Sequence, residues 1–232
     1  MSGGDLSRTM PFDRQPSHPT VLADGGLEPE SVVSLPEPDG EGEMTVTRAI
    51  RHRRSRRELE PKPIDEGAFS KLLWAAQGIT DDEAGFRAVP SAGATFPLDL
   101  YTVVGEPGVE FLEPGVYRYR PAEHELGLLQ EEDVQAELRE ATYDQAWVEA
   151  AAVDLVVCAV DERTTGEYGD RGADRYVPME AGHLSQNVYL QAEALDLATV
   201  AVGAFEDDAV RETVGAPADQ RPLYVLPVGH PA

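Results

Sequence analysis

Apolar positions first recur at a helical interval from Thr45 onward, where Val46, Ala49 and Ile50 give an apolar edge to a short helix closing near Ser55. A better-marked helix follows. Asp65 is placed to cap it, Ala68, Phe69, Leu72, Leu73 and Ala76 share one stripe, and Gly78 is read as its stop. From Leu98 to Val104 the chain alternates and carries β-branched residues, which predicts a strand, and residues 115–120 predict another. Residues 131–151 suggest helix in two pieces, and 152–160 a buried strand. The longest helical pattern runs from Met179 to Leu197. Ala181, Leu184, Val188, Ala192 and Leu195 repeat at helical spacing there, and Tyr189 and Leu190 widen the apolar surface. A helix apolar on more than one face is central or packs on a partner. A short strand at 198–202, a short helix at 207–214 ending at Gly215, and a last strand at 222–228 complete the pattern.

Residues 1–44 are different in kind. They are rich in Pro, Gly, Asp and Glu without sustained apolar period, and are read as a poorly ordered leader to one α+β domain over 45–232. The length of 232 residues suits one sizeable core, and 41% apolar residues exclude general disorder. The lone Cys158 excludes an intrachain disulfide and a cysteine metal cage. The five histidines lack metal-binding spacing, and His183 on the long helix is read as packed or interfacial. The start has no secretory apolar region, and residues 146–160, broken by Glu149 and Asp154, are too short to span a bilayer.

Charge changes the picture more. The formal net charge is −24, with 43 acidic residues against 19 basic, and Lys62 and Lys71 are the only lysines. Such a surface repels itself at low salt. It is read as that of a halophilic cytoplasmic protein, the alternative being a merely acidic one. Against this background six arginines crowd into residues 48–57: Arg48, Arg51, Arg53, Arg54, Arg56 and Arg57, with His52 and Ser55 among them. Guanidinium forks and a hydroxyl suit a phosphate, whether of a nucleic acid or of a cofactor. The plain alternative is a solvated turn paired with nearby carboxylates, and the acidic remainder opposes nucleic acid.

Two further segments can bring backbone N–H groups to a flat ligand: Pro90-Ser91-Ala92-Gly93-Ala94-Thr95-Phe96-Pro97, and the Gly203-Ala204-Phe205 turn behind a strand. Each alone reads more readily as an ordinary loop. Neither a dinucleotide fingerprint nor a nucleophile elbow is present.

In this order, with the closing residues 225–231, these segments resemble the FMN-dependent nitroreductase family. Tyr168-Gly-Asp-Arg171, and Arg175-Tyr176 leading into residues 180–187, resemble its SagB/ThcOx branch, which includes dehydrogenases of peptide azolines. The resemblance implies a central, mainly antiparallel sheet flanked by helices, in an intertwined homodimer with FMN at the interface. It implies that Arg53, Arg54, Ser55 and Arg57 hold the FMN phosphate and ribityl chain. Pro90, Ser91, Ala92 and Gly93 would pack on the isoalloxazine, usually from the other subunit, and Gly203 and Ala204 would lie near its reactive edge. Asn187 matches a polar residue of the dimer-core helix.

The resemblance implies hydride transfer through flavin N5, from NAD(P)H to a nitro or quinone acceptor, or by dehydrogenation of a small substrate, and no metal. Two departures matter. Azoline-oxidising members resemble Lys-Tyr where this chain has Glu167-Tyr168, leaving Tyr168 as the candidate acid/base. The last Gly-x-Pro is followed here by Ala232 rather than by a basic residue, so the island would supply the phosphate's counter-charge alone. The rival readings are a non-redox flavin-binding module, and an interaction protein that sets the 48–57 island on an anionic partner.

Overall fold

The computed structural model describes residues 28–38, 40 and 42–232. In chain order the elements are β1 (Ser31–Ser34), α1 (Val46–His52), β2 (Leu59–Glu60), α2 (Glu66–Gln77), β3 (Ile79–Asp81), β4 (Phe86–Arg87), β5 (Leu98–Val104), β6 (Gly115–Arg120), β7 (Glu125–Gln130), α3 (Gln135–Ala141), α4 (Ala146–Glu149), β8 (Val153–Ala159), α5 (Glu162–Tyr168), α6 (Val177–Ala194), β9 (Ala198–Thr199), α7 (Asp207–Thr213) and β10 (Arg221–Pro231). The result is the expected α+β architecture. An antiparallel sheet runs β1-β7-β6-β5-β8-β10-β2, with β9 against β10, and β3 and β4 form a separate hairpin.

β5 and β8 are central, paired from Leu98 opposite Ala159 to Val104 opposite Val153. Every residue of both is buried, so β5 is covered on two faces although its sequence alternates. One face packs Leu98, Leu100, Leu155 and Val157 under α2 and α6. The other packs Tyr101, Val103, Val156 and Cys158 beneath α3, α4 and α7. Asp99, one of the alternation's polar positions, is therefore interior and must be paired.

Three departures from the sequence reading have physical causes. The leader does not extend to residue 44: Ser31–Ser34 pairs with β7 and Leu35 is buried, because a short Val-Val-Ser-Leu run is enough to close an open sheet edge. Its earlier part, residues 1–27, lies outside the described residues. Gly78 ends α2 without a left-handed turn (φ −62°); it is needed because Trp74 lies where a Cβ would stand. β10 runs to Pro231 rather than 228, since beyond β8 it goes on to pair with β2, His230 opposite Glu60. Among the described residues no helix is long and apolar enough to cross a membrane.

Candidate functional site

α1 ends where Arg53 leaves helical geometry, and the next four residues are laced to the body of the fold. The Arg56 N–H donates to the Thr199 carbonyl (3.1 Å), and the Ala232 N–H donates to the Glu58 carbonyl (3.1 Å). Tyr189 of α6 is the post between them. Its hydroxyl accepts from the Ala201 N–H (2.8 Å) and shares a hydrogen bond with Ser55 Oγ (2.8 Å), and the Arg53 guanidinium lies 5.0 Å from its ring centre.

The arginines then divide into two kinds. Arg56 is committed to the protein, its Nη1 donating to Glu193 Oε2 at 2.7 Å, and that hydrogen bond raises its pKa. Arg53, Arg54 and Arg57 have no carboxylate within ion-pair distance among the described residues. Arg54 Nη1 donates to the carbonyls of Arg51 (3.1 Å) and Arg53 (2.7 Å), and Arg57 lies 5.2 Å from the centre of the Trp147 ring. Arg54, Ser55 and Arg57 are exposed.

The Gly203-Ala204 turn belongs to the same group. Both residues are exposed, they follow Val202, which bridges to Val225, and the Ala204 carbonyl accepts from Gln145 Nε2 (3.0 Å). Gln145 precedes α4, which carries Trp147 under Arg57. The indole Nε1 of Trp147 is buried and has no acceptor. Through these contacts the guanidiniums of Arg53, Arg54 and Arg57, the Ser55 hydroxyl and the open Gly203-Ala204 turn belong to one region, and its exposed donors suit an anionic ligand.

The loop of residues 90–97 is gathered elsewhere. Pro90 and Gly93 are exposed, Ser91 and Ala92 are half-buried, and Ser91 Oγ accepts from the Phe96 N–H (2.9 Å). Gly93 sits at φ +61°, and a Cβ on it would come within 2.5 Å of the Tyr168 hydroxyl, so Tyr168 is brought directly over this loop. Tyr168 stacks edge-on against Tyr176, with ring centres 5.0 Å apart. Asn187 holds the loop's stem from behind, its Nδ2 donating to the Ala75 (3.1 Å) and Ala88 (3.0 Å) carbonyls.

The loop's partner on α6 is Glu180, and the arginine group's partner is Tyr189. Nine residues separate them, about 13 Å along the helix. Within one chain, then, Arg53, Arg54, Ser55, Arg57, Gly203 and Ala204 form one group, and Pro90–Gly93 with Tyr168 form another.

Glu180 is a residue that sequence reasoning passed over. It is 3% exposed and its Oε1 lacks a partner. Burial pushes its carboxyl up to about 7, against a hydrogen bond with Ser91 and the attraction of Arg87. Its position is legible in retrospect: it lies three residues after Val177 and four before Leu184, on the buried face of α6.

A carboxyl whose pKa rises on folding favours the native state while protonated. Its contribution is complete below the ordinary glutamate value of 4.5, declines as pH rises, and is lost above about 7. Glu180→Gln should therefore unfold with less pH dependence than wild type between those limits. The relative gain at pH 8 is of the order of 3 kcal/mol at most. Denaturant titrations at pH 5 and 8 check this, and parallel stability curves for the two proteins would exclude it. The comparison with the variant matters because Asp154, buried in β8, is also raised well above its usual range by burial.

Residues 50–230 match the model of the Nitroreductase family. A Methanocaldococcus jannaschii protein described as a nitroreductase is 45% identical over 187 residues, 81% of this chain and 91% of its own. The crystal structure of a Ralstonia eutropha JMP134 protein, also described as a nitroreductase, superposes with a TM-score of 0.76 at 29% identity, covering 88% of this chain and 94% of the other. The NADPH:FMN oxidoreductase of Vibrio harveyi, solved with NAD+, superposes with a TM-score of 0.57 at 21% identity, covering 80% and 68%. At that identity the likeness is one of fold.

Proposed function

We propose, from the premise that this chain belongs to the nitroreductase family and is an oxidoreductase, that it works through bound FMN. Its reductant would be NAD(P)H and its acceptor a nitro or quinone compound, or it would dehydrogenate a small substrate as the SagB-type branch does. One observation carries the reading. In a chain of net charge −24, Arg53, Arg54 and Arg57, in the same segment as the Ser55 hydroxyl, have no carboxylate at ion-pair distance among the described residues. Guanidiniums not spent on the described acids suit a ligand that brings its own negative charge, and a phosphate with a polyol chain fits this donor set.

When bound, FMN would supply hydride acceptance and donation at N5. The chain's own residues would bind and orient it. Arg54 and Arg57 would neutralise the phosphate, Arg53 and Ser55 would be held in place by Tyr189, and Gly203 and Ala204 would let a ring approach the backbone closely. The Pro90–Gly93 loop and Tyr168 stand apart from this group in one chain, and a two-fold homodimer would bring one subunit's loop to the other's arginines. The exposed Val46, Ile50 and Met179 on α1 and α6 support such a partner face. Tyr168, poised over Gly93, is the proposed proton-handling group.

The test is the absorption spectrum of protein purified at high salt, followed by anaerobic addition of NADH or NADPH. Flavin bands that bleach with reductant and return with an acceptor are expected. Bands that never bleach would leave an inert flavin-binding module, and a colourless protein that takes up no FMN would leave an interaction protein using residues 48–57. The halophile reading has its own check: the unfolding midpoint should rise from low to molar KCl as the acidic surface is screened.

A further inference from the structure

Behind the 90–97 loop lies a cavity of about 50 Å³, lined by Gln77, Arg87, Phe96, Asp99, Arg118 and Arg163 together with apolar neighbours. Among the described residues, three guanidiniums and one carboxylate border it. That carboxylate is already spent. Asp99 accepts from Arg163 Nη1 on Oδ1 (2.8 Å), and its Oδ2 accepts from Arg163 Nη2 (3.2 Å), Arg118 Nη2 (3.1 Å) and Gln220 Nε2 (2.8 Å). Arg87 is left over. It has no carboxylate within ion-pair distance among the described residues, and the one hydrogen bond it makes there is from Nη1 to Gln77 Oε1 (2.9 Å). Its guanidinium lies 4.5 Å from the centre of the Phe96 ring. One of five N–H groups is thereby used.

A second observation is independent of the arginines. Gln77 is 1% exposed, and its Nε2 is buried with no acceptor. The amide cannot be reversed to remove this deficit, since its oxygen already takes the Arg87 N–H. A half-buried guanidinium with no carboxylate at ion-pair distance among the described residues and a buried amide N–H without an acceptor border the same space, and the latter is costly to leave unmade. Burial lowers the pKa of Arg87, Arg163 repels it, and Asp99 and Glu180 attract it at longer range. At about 10–15 Å³ for each water-sized particle, a cavity of about 50 Å³ has room for a few of them, enough for a small ion with water beside it.

We propose that this cavity is a binding site for one small monovalent inorganic anion, of the size of chloride or bromide, held by Arg87 and Gln77 Nε2 beside Arg163. The anion would pair with the Arg87 guanidinium and sit on the reverse side of the loop that carries Phe96.

The test uses the full-length protein. Crystals grown in sodium bromide should give an anomalous peak within hydrogen-bond distance of the Arg87 guanidinium and Gln77 Nε2. In solution, sodium chloride is exchanged for sodium gluconate at constant ionic strength, gluconate being too large for the cavity. The wild-type unfolding midpoint should then rise by about 3–6 °C for each tenfold rise in chloride above its dissociation constant. Arg87→Gln should lose most of that rise, because the unpaired charge that recruits the anion is gone. A water molecule without anomalous signal at that position would overturn the proposal. So would a wild-type midpoint indifferent to the exchange, or an equal rise in Arg87→Gln. Should the variant fail to fold, the bromide peak in wild type decides by itself.

Discussion

Alanine at both Arg54 and Arg57 is expected to weaken FMN retention by about 100-fold or more and to yield largely colourless protein. Each single variant should lose about tenfold to 150-fold, from charge-assisted hydrogen bonds worth about 1.5–3 kcal/mol apiece. The two losses need not sum, because both forks would address one phosphate. Arg56→Ala is the control that separates a phosphate site from a merely cationic surface. Its guanidinium is bound to Glu193 and adds to the island's charge as much as either neighbour does. It should leave FMN affinity nearly unchanged while costing some stability. FMN titrations by fluorescence quenching measure all four proteins. If Arg56→Ala lost as much flavin as Arg57→Ala, the division of the island into structural and ligand-facing arginines would be wrong.

That division was partly legible in the sequence. The island announces itself as a charge anomaly, and the resemblance to the nitroreductases marks Arg53, Arg54, Ser55 and Arg57. What sequence could not supply is the reason Arg56 differs, because Glu193 lies 137 positions away and meets it only when α6 packs beside α1. The same holds for Tyr189. It reads as a residue broadening the apolar face of a long helix, while in the fold its hydroxyl ties Ser55 to Ala201.

The elements were legible where one period dominates. α2 announces itself through the Asp65 cap and one apolar stripe, and the structure has Asp65 Oδ1 accepting from the Ala68 N–H (2.9 Å). β7 was missed because a glycine interrupts Glu-Leu-Gly-Leu-Leu-Gln, and its strand character comes from pairing with β6 and β1 on either side. β1 was missed for a related reason. Two valines between serines cannot signal a strand against a Pro-rich background, and β7's free edge selects them. α5 escaped notice because its helix is set by what surrounds it: Thr164 is buried and shares a hydrogen bond with Thr95 (2.8 Å) beneath the loop. Polar residues buried by tertiary contact are not announced by their type: Asp99 reads as the polar position of an alternating strand, and Glu180 is placed only by its spacing from Val177 and Leu184.

Asp99 gives the largest expected effect on stability. Its side chain is 9% exposed and receives four donors from Arg163, Arg118 and Gln220. Removing one partner of a buried ion pair costs more than the pair contributes, because the remaining charge stays in a poor dielectric. Asp99→Ala should therefore lose about 3–5 kcal/mol, lowering the unfolding midpoint by about 6–20 °C. The origin of that loss can be checked by a second change. If it lies in the abandoned guanidinium rather than in lost packing, Asp99→Ala with Arg163→Met should be no less stable than Asp99→Ala alone, since the thioether fills the space without a charge. Thermal unfolding of wild type, both single variants and the double variant closes the cycle. Losses that simply add would locate Asp99's contribution in shape and hydrogen bonding, and the electrostatic account of this interior cluster would fall.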